Sequence, residues 1–289
     1  MSLSGDTTEV QDENLLAAAV ILRFYEELDV PLVGIDDETY LRGTQVFLEA
    51  QAGTAVRGRG LQNAAYWVGI RQEFHTAFIK QRAFRFNLSC CNYTTYKTLE
   101  PADDFTWANR VILHCAEALT YCYRGDDHNA EQYDRLWDYN QKWYASKPPT
   151  FEPIYYQPPD HSKDEVLPQI WYIGNSQVTA IQHWHLARIL LAAFDPKTPR
   201  MGLIQKRAAA NREAEIKSNV FRLCGIALSN KTAPGLITAC MGVSMCGDRI
   251  TDGLEQEAML DILIKTEETH ALPTGKAQRE LKEAWDWGP

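Results

Sequence analysis

IWYIGNSQVTAIQHWHLARILLAAFDP, residues 170–196, decides how the rest of the chain is read. The stretch reads as one long helix that follows a proline-rich break. At about 100° per residue, Val178 and Ile189 share one direction, Ile181 and Trp184 a second, Leu186 and Leu190 a third, and Ala187, Leu191 and Phe194 a fourth. A helix that is apolar on every side is a core helix with neighbours all around it. Yet Gln182, His183, His185 and Arg188 lie on it too. Polar groups inside a core need partners, supplied by the protein or by a ligand.

Working outward, helix signals recur and strand signals are scarce. Thr8 or Asp12 can cap a helix through Leu28 that Val30-Pro31 ends, and residues 1–11 before it read as a flexible N-terminus. Asp36 and Asp37 can cap a second through Ala52, with Gly53 at its end. RGRG, residues 57–60, reads as a turn, Leu61 to Gln81 as a third helix, and Arg82 to Pro101 as irregular. Asp103-Asp104 starts a helix that places Trp107, Val111, His114, Ala118 and Tyr121 at helical spacing and stops at Gly125. Asp126-Asp127 opens the next, to about Ala145. Six of the thirteen prolines fall in the connection 148–168, whose Phe151, Ile154, Tyr155 and Tyr156 are expected to pin it to the core. Beyond residue 196 come helices over Leu203–Leu228, Leu254–His270 and Gly275–Trp285, and a buried small-residue stretch, Gly235–Arg249. The expected fold is an all-α domain over residues 12–289, of about ten helices, with the proline-rich connection between its halves.

The chain has 289 residues and is 45% hydrophobic, enough to fill a large core. No apolar run has the length of a membrane span and the N-terminus has no signal-peptide pattern, so a soluble, non-secreted protein without a membrane partner is expected. The net charge of −9 argues against gripping nucleic acid directly, because phosphate contacts need clustered Lys and Arg. Seven cysteines without a CxxC pair read as buried reduced thiols rather than as a metal site. No cofactor motif of the GxGxxG or P-loop type is present.

His183 and His185 form an HxH pair. On a helix their side chains diverge by about 200°, so one shared metal is not expected. Trp184 and Arg188, four apart, can form a cation–π contact. Trp184, His185, Arg188 and His183 are therefore the candidate lining of a ligand pocket, with plain core packing as the alternative use. Cys115 beside His114 is no nucleophile–base pair, since adjacent helical residues diverge and no nucleophile elbow is present.

Several stretches together carry a family likeness: LLAAAVILRFYEELD, TYLRGTQVFLEAQAG, EPADDFTWANRVILHCAEAL, QIWYIGNSQVTAIQHWHLARILLAAFDP, LCGIALSN and ACMGVSMCGDRITDGLEQEAMLDILIKTEETHA. From about Leu15 to Trp287 the chain resembles the C-terminal regulatory region of fungal zinc-cluster transcription factors, in the group with the second type of fungal-specific transcription factor domain. The resemblance implies a non-enzymatic, nuclear, all-α module. It would sense a small-molecule effector or contact protein partners, often to control a metabolic gene cluster. In that family a head with six cysteines and two zinc ions binds DNA. Nothing in this sequence matches that head, so neither a zinc site nor direct DNA binding is carried over.

Two other readings stand beside it. Asp126-Asp127 with Glu131, and Asp248, Thr251 and Glu255, resemble the two acidic motifs with which helical class I terpene synthases hold magnesium. Gly247 stands where the second motif should begin, and Asp126-Asp127 sits where a helix cap belongs. The third reading is a scaffold that dimerises through aromatics between Trp137 and Trp143.

Overall fold

The computed structural model describes residues 12–33, 36, 38–55, 60–88, 94–125, 128–199 and 201–287. Those residues form eleven α-helices and one two-stranded sheet, so the fold is all-α. The helices are α1 (Glu13–Val33), α2 (Thr39–Ala55), α3 (Leu61–Ile79), the short α4 (Thr94–Lys97), α5 (Asp104–Tyr123) and α6 (Ala130–Ser146). After the connection come α7 (Asn175–Ala193), α8 (Gly202–Asn230), α9 (Ala233–Cys246), α10 (Gly253–His270) and α11 (Gly275–Ala284). No helix among the described residues is long and apolar enough to cross a membrane.

The expected central helix is shorter than its apolar run. Residues 169–171 form strand β2 (Gln169–Trp171), antiparallel to β1 (Tyr155–Gln157), with Tyr156 opposite Ile170. The β-branched and aromatic residues of IWYI suit a strand, and Gly174 then starts α7 in extended backbone. Side chains at the end of α8 hold β2 in place. Ser229 Oγ accepts from Ile170 N at 2.9 Å, Asn230 Oδ1 accepts from Tyr172 N at 3.0 Å, and Asn230 Nδ2 donates to Ile170 O at 2.9 Å. Along the connection only Phe151 is buried as expected; Ile154, Tyr155 and Tyr156 are exposed.

α7 is the centre of the molecule, packed against α5, α6, α8 and α9. Gln182, fully buried on it, donates to the carbonyls of Leu223 in α8 at 3.1 Å and Gly235 in α9 at 2.9 Å. Backbone oxygens of two neighbours thus take both amide protons of Gln182, while its Oε1 is buried without a partner. α3 is a second helix buried on several sides, with Trp67, Ile70, Phe74 and Ala77 almost wholly enclosed. It packs on α5 in its own half and on α9 across the proline-rich connection, so the two halves share one core.

Helix starts follow the sequence in some places and not in others. Asp103 caps α5 by accepting from Thr106 N at 2.7 Å, as its position predicts. Asn129, not Asp126-Asp127, caps α6, accepting from the backbone of Glu131 and Gln132. The start of α2 is held from another helix: Glu26 of α1 accepts from Thr39 N at 2.8 Å and from Tyr40 N at 3.3 Å. Asp36 instead makes a two-pronged pair with Arg23, at 2.6 and 3.1 Å. α1 itself runs to Val33, past the Val30-Pro31 expected to stop it, and ends two residues after the proline. Asp126, Asp127, Asp37, the 57–59 part of the RGRG turn, Cys90, Cys91 and the N-terminus through residue 11 lie outside the described residues.

Candidate functional site

Of the four residues singled out from the sequence, Trp184 touches both His185 and Arg188, and His183 turns to another side of the helix. Their side chains reach different neighbours of α7. His183 Nδ1 donates to its own helix, to Thr179 O at 2.7 Å, and its ring lies 5.4 Å from Phe74 of α3. His185 points to α8, where its Nδ1 donates to Asn219 Oδ1 at 2.7 Å. Burial lowers His183 to about 4 and His185 to about 3, overriding the hydrogen bonds that pull the other way, so both rings are neutral. The HxH pair therefore serves two separate helix contacts, as the divergence on a helix predicts.

Trp184 and Arg188 form the third contact. Arg188 lies over the Trp184 ring at 5.6 Å, the expected cation–π pair. It lies closer to Trp137 of α6, at 4.0 Å, and its Nη2 is bound to Glu215 of α8. Asn219 closes the circuit by donating from Nδ2 to Glu215 O at 2.8 Å. Trp184 Nε1 in turn donates to Asn140 O in α6 at 2.9 Å, and its ring lies against Tyr144 at 4.4 Å. This edge of α7 is a junction that ties α6, α7 and α8 together. Trp137 is occupied by it and Trp143 is fully buried, so neither is an exposed aromatic available for dimerisation.

Asn140 leads from that junction to a cleft. The cleft has a volume of about 710 Å³ and lies between α5, α6 and the segment after α3. His114, Glu117, Thr120 and Arg124 face it from α5 at spacings of three and four, and Gln132, Arg135, Leu136 and Tyr139 face it from α6. The remaining wall, with Phe84, Phe86 and Leu88, is fixed by a charge network. Glu73 of α3 binds Arg82 at 2.6 Å and the Arg85 backbone at 2.8 Å, while Glu38 binds Arg85 at 2.5 Å and Lys80 at 2.6 Å. At the floor, His114 is 1% exposed. Burial, with a smaller contribution from Lys97, lowers it to about 3. Asn140 Nδ2 faces His114 Nε2 at 3.4 Å, and His114 Nδ1 is enclosed without a hydrogen-bond partner. Tyr139 stacks on the ring at 4.8 Å, and burial pushes its phenol up.

Of the acidic motifs, Asp126 and Asp127 lie outside the described residues. Glu255 is bound to Lys217 of α8 at 2.5 Å. Asp248 borders a different hollow, of about 800 Å³, between α1, α3, α9 and α11. Among the described residues no group of three or more His, Cys, Asp or Glu side chains is placed to hold a metal ion. Cys115, Cys122, Cys224, Cys240 and Cys246 are free and buried. Comparison of the chain with protein-family models, with curated proteins and with solved structures finds no match.

The His114 cleft was missed in the sequence, although its signal was there. Residues 114, 117, 120 and 124 form a polar stripe beside the apolar one on the same helix. His114 also falls at helical spacing with Trp107, Val111, Ala118 and Tyr121, and that pattern hides the polar one.

Proposed function

We propose that the chain is a non-enzymatic regulatory module of transcription, of the kind that stands behind the DNA-binding head in the fungal zinc-cluster factors it resembles. It works through a small-molecule effector or protein partners, in the nucleus, without gripping nucleic acid itself. The observation that supports this reading is where the resembling segments sit. They fall on α1, α2, α5, β2–α7, the end of α8, α9 and α10. α5, α7, α8, α9 and α10 pack one on the next through the centre of the molecule. The likeness therefore follows a core rather than one surface stretch, as expected of a family defined by a scaffold. The net charge of −9 accords with a module that leaves phosphate contacts to another chain or segment.

The test is a fusion of the chain to an unrelated DNA-binding domain, read on a reporter gene carrying that domain's site. Altered transcription, relative to the DNA-binding domain alone, is expected. A fusion that is folded and nuclear but leaves the reporter unchanged overturns the proposal. So does tight, sequence-selective DNA binding by the chain alone in a gel shift at physiological salt.

A further inference from the structure

We infer that the His114 cleft is a binding site for a small amphipathic carboxylic acid, one ionised carboxylate on an aromatic or branched apolar body. The size suits such a molecule: about 710 Å³ lies within the range of ligand pockets. Phe84, Phe86 and Leu136 offer it an apolar wall. The charge of the cleft runs against that of the chain. Of its three arginines, Arg85 is paired with Glu38, and its one acidic residue, Glu117, is bound to Lys97. Arg124 and Arg135, from two different helices, have no acidic partner among the described residues, in a chain whose net charge is −9. A guanidinium presents a planar fork that fits a carboxylate and binds it more strongly than a neutral acceptor.

His114 adds a second, independent observation. A buried polar nitrogen without a hydrogen-bond partner is costly and uncommon. The imidazole lines the cleft with its Nδ1 enclosed and unpaired, and Asn140 Nδ2 faces the opposite nitrogen. Nδ1 is enclosed as the ring stands, so a ligand oxygen pairs with it only through a small turn of the ring toward the cleft. The arginines then fix the charged end, His114 fixes its orientation, and the phenylalanines cover the body.

The inference deepens the regulatory reading and rests on it for its biological meaning, but the binding measurement and the reporter assay fail separately. The probes are 2-naphthoate and its neutral analogue 2-naphthamide, titrated into the full chain by calorimetry. Naphthoate is expected to bind, and naphthamide at least about tenfold more weakly. The double variant R124Q/R135Q changes two exposed side chains and is expected to keep the fold. It should lose about tenfold or more in naphthoate affinity and leave naphthamide unchanged. Equal binding of the two probes, unaltered naphthoate binding by the double variant, or no naphthoate binding at all overturns the site. Histidine ring NMR tests the floor contact: the His114 signals should move on titration. Signals that stay in place mean an ordered water serves Nδ1, and the contact is then wrong.

Discussion

The guanidinium of Arg188 lies 4.0 Å from the centre of the Trp137 ring while its Nη2 holds Glu215, so one side chain joins α6 to α8 across the face of α7. Arg188→Ala should destabilise the protein by about 2 kcal/mol, the upper range for a largely desolvated cation–π contact. A double-mutant cycle of Arg188→Met with Trp137→Leu, followed by urea unfolding, should give a coupling of about 1 kcal/mol. Additive effects would mean that the two residues merely sit close together.

Gly225 and Gly43 should respond oppositely to alanine. A Cβ at Gly225 would stand 2.2 Å from the carbonyl oxygen of Pro168, which is backbone and cannot step aside. Gly225→Ala should therefore cost about 3 kcal/mol by forcing the strand off α8. At Gly43, in the middle of α2, a Cβ meets nothing within 4 Å. Gly43→Ala should stabilise by about 0.5–1 kcal/mol through helix propensity. Melting curves of the two variants settle both signs.

Acid should destabilise the protein well before its carboxylates titrate. Burial lowers His114 and His185 to about 3 and His183 to about 4. In the unfolded chain each titrates near an ordinary value of about 6.5. The unfolded state therefore binds protons first, and stability present above pH 6.5 is lost as the pH falls toward the folded values. With three such groups the slope approaches about 4 kcal/mol per pH unit at its steepest. Urea midpoints at pH 7, 6 and 5 should fall steadily, and His185→Gln should remove about one proton from the slope. A midpoint that holds from pH 7 to 5 would show that these rings are not buried and neutral.

The thiols should be inert in the native protein. Burial raises Cys115, Cys122 and Cys224, and pushes Cys240 and Cys246 up to about 12. A thiol-exchange reagent at pH 8 should reach those five only on unfolding. Rapid native modification of any of them, located by peptide mapping, would contradict the packing described.

What the sequence disclosed depended on whether the cause was local. Asp103 lies three residues before the N–H it caps, so the start of α5 was legible. The all-α class was legible because periodic apolar faces recur along the chain. The β2 strand was hidden inside the apolar run 170–196, since apolar residues do not by themselves distinguish strand from helix. The candidate site divided in the same way. The Trp184–Arg188 contact follows from i, i+4 spacing and was found. The closer contact with Trp137, and the cleft between α5 and α6, join residues distant in sequence and were not.

Glu26 shows how far a boundary can lie from its cause. Its carboxylate holds the first amides of α2, thirteen residues onward, while it also pairs with Arg23 on its own helix. α2 thus has its starting point written on another helix. A substitution at position 26 would look like a harmless change on the outside of α1, yet it would move the punctuation of its neighbour. Any comparison of variants along this chain has to count Glu26 as part of α2.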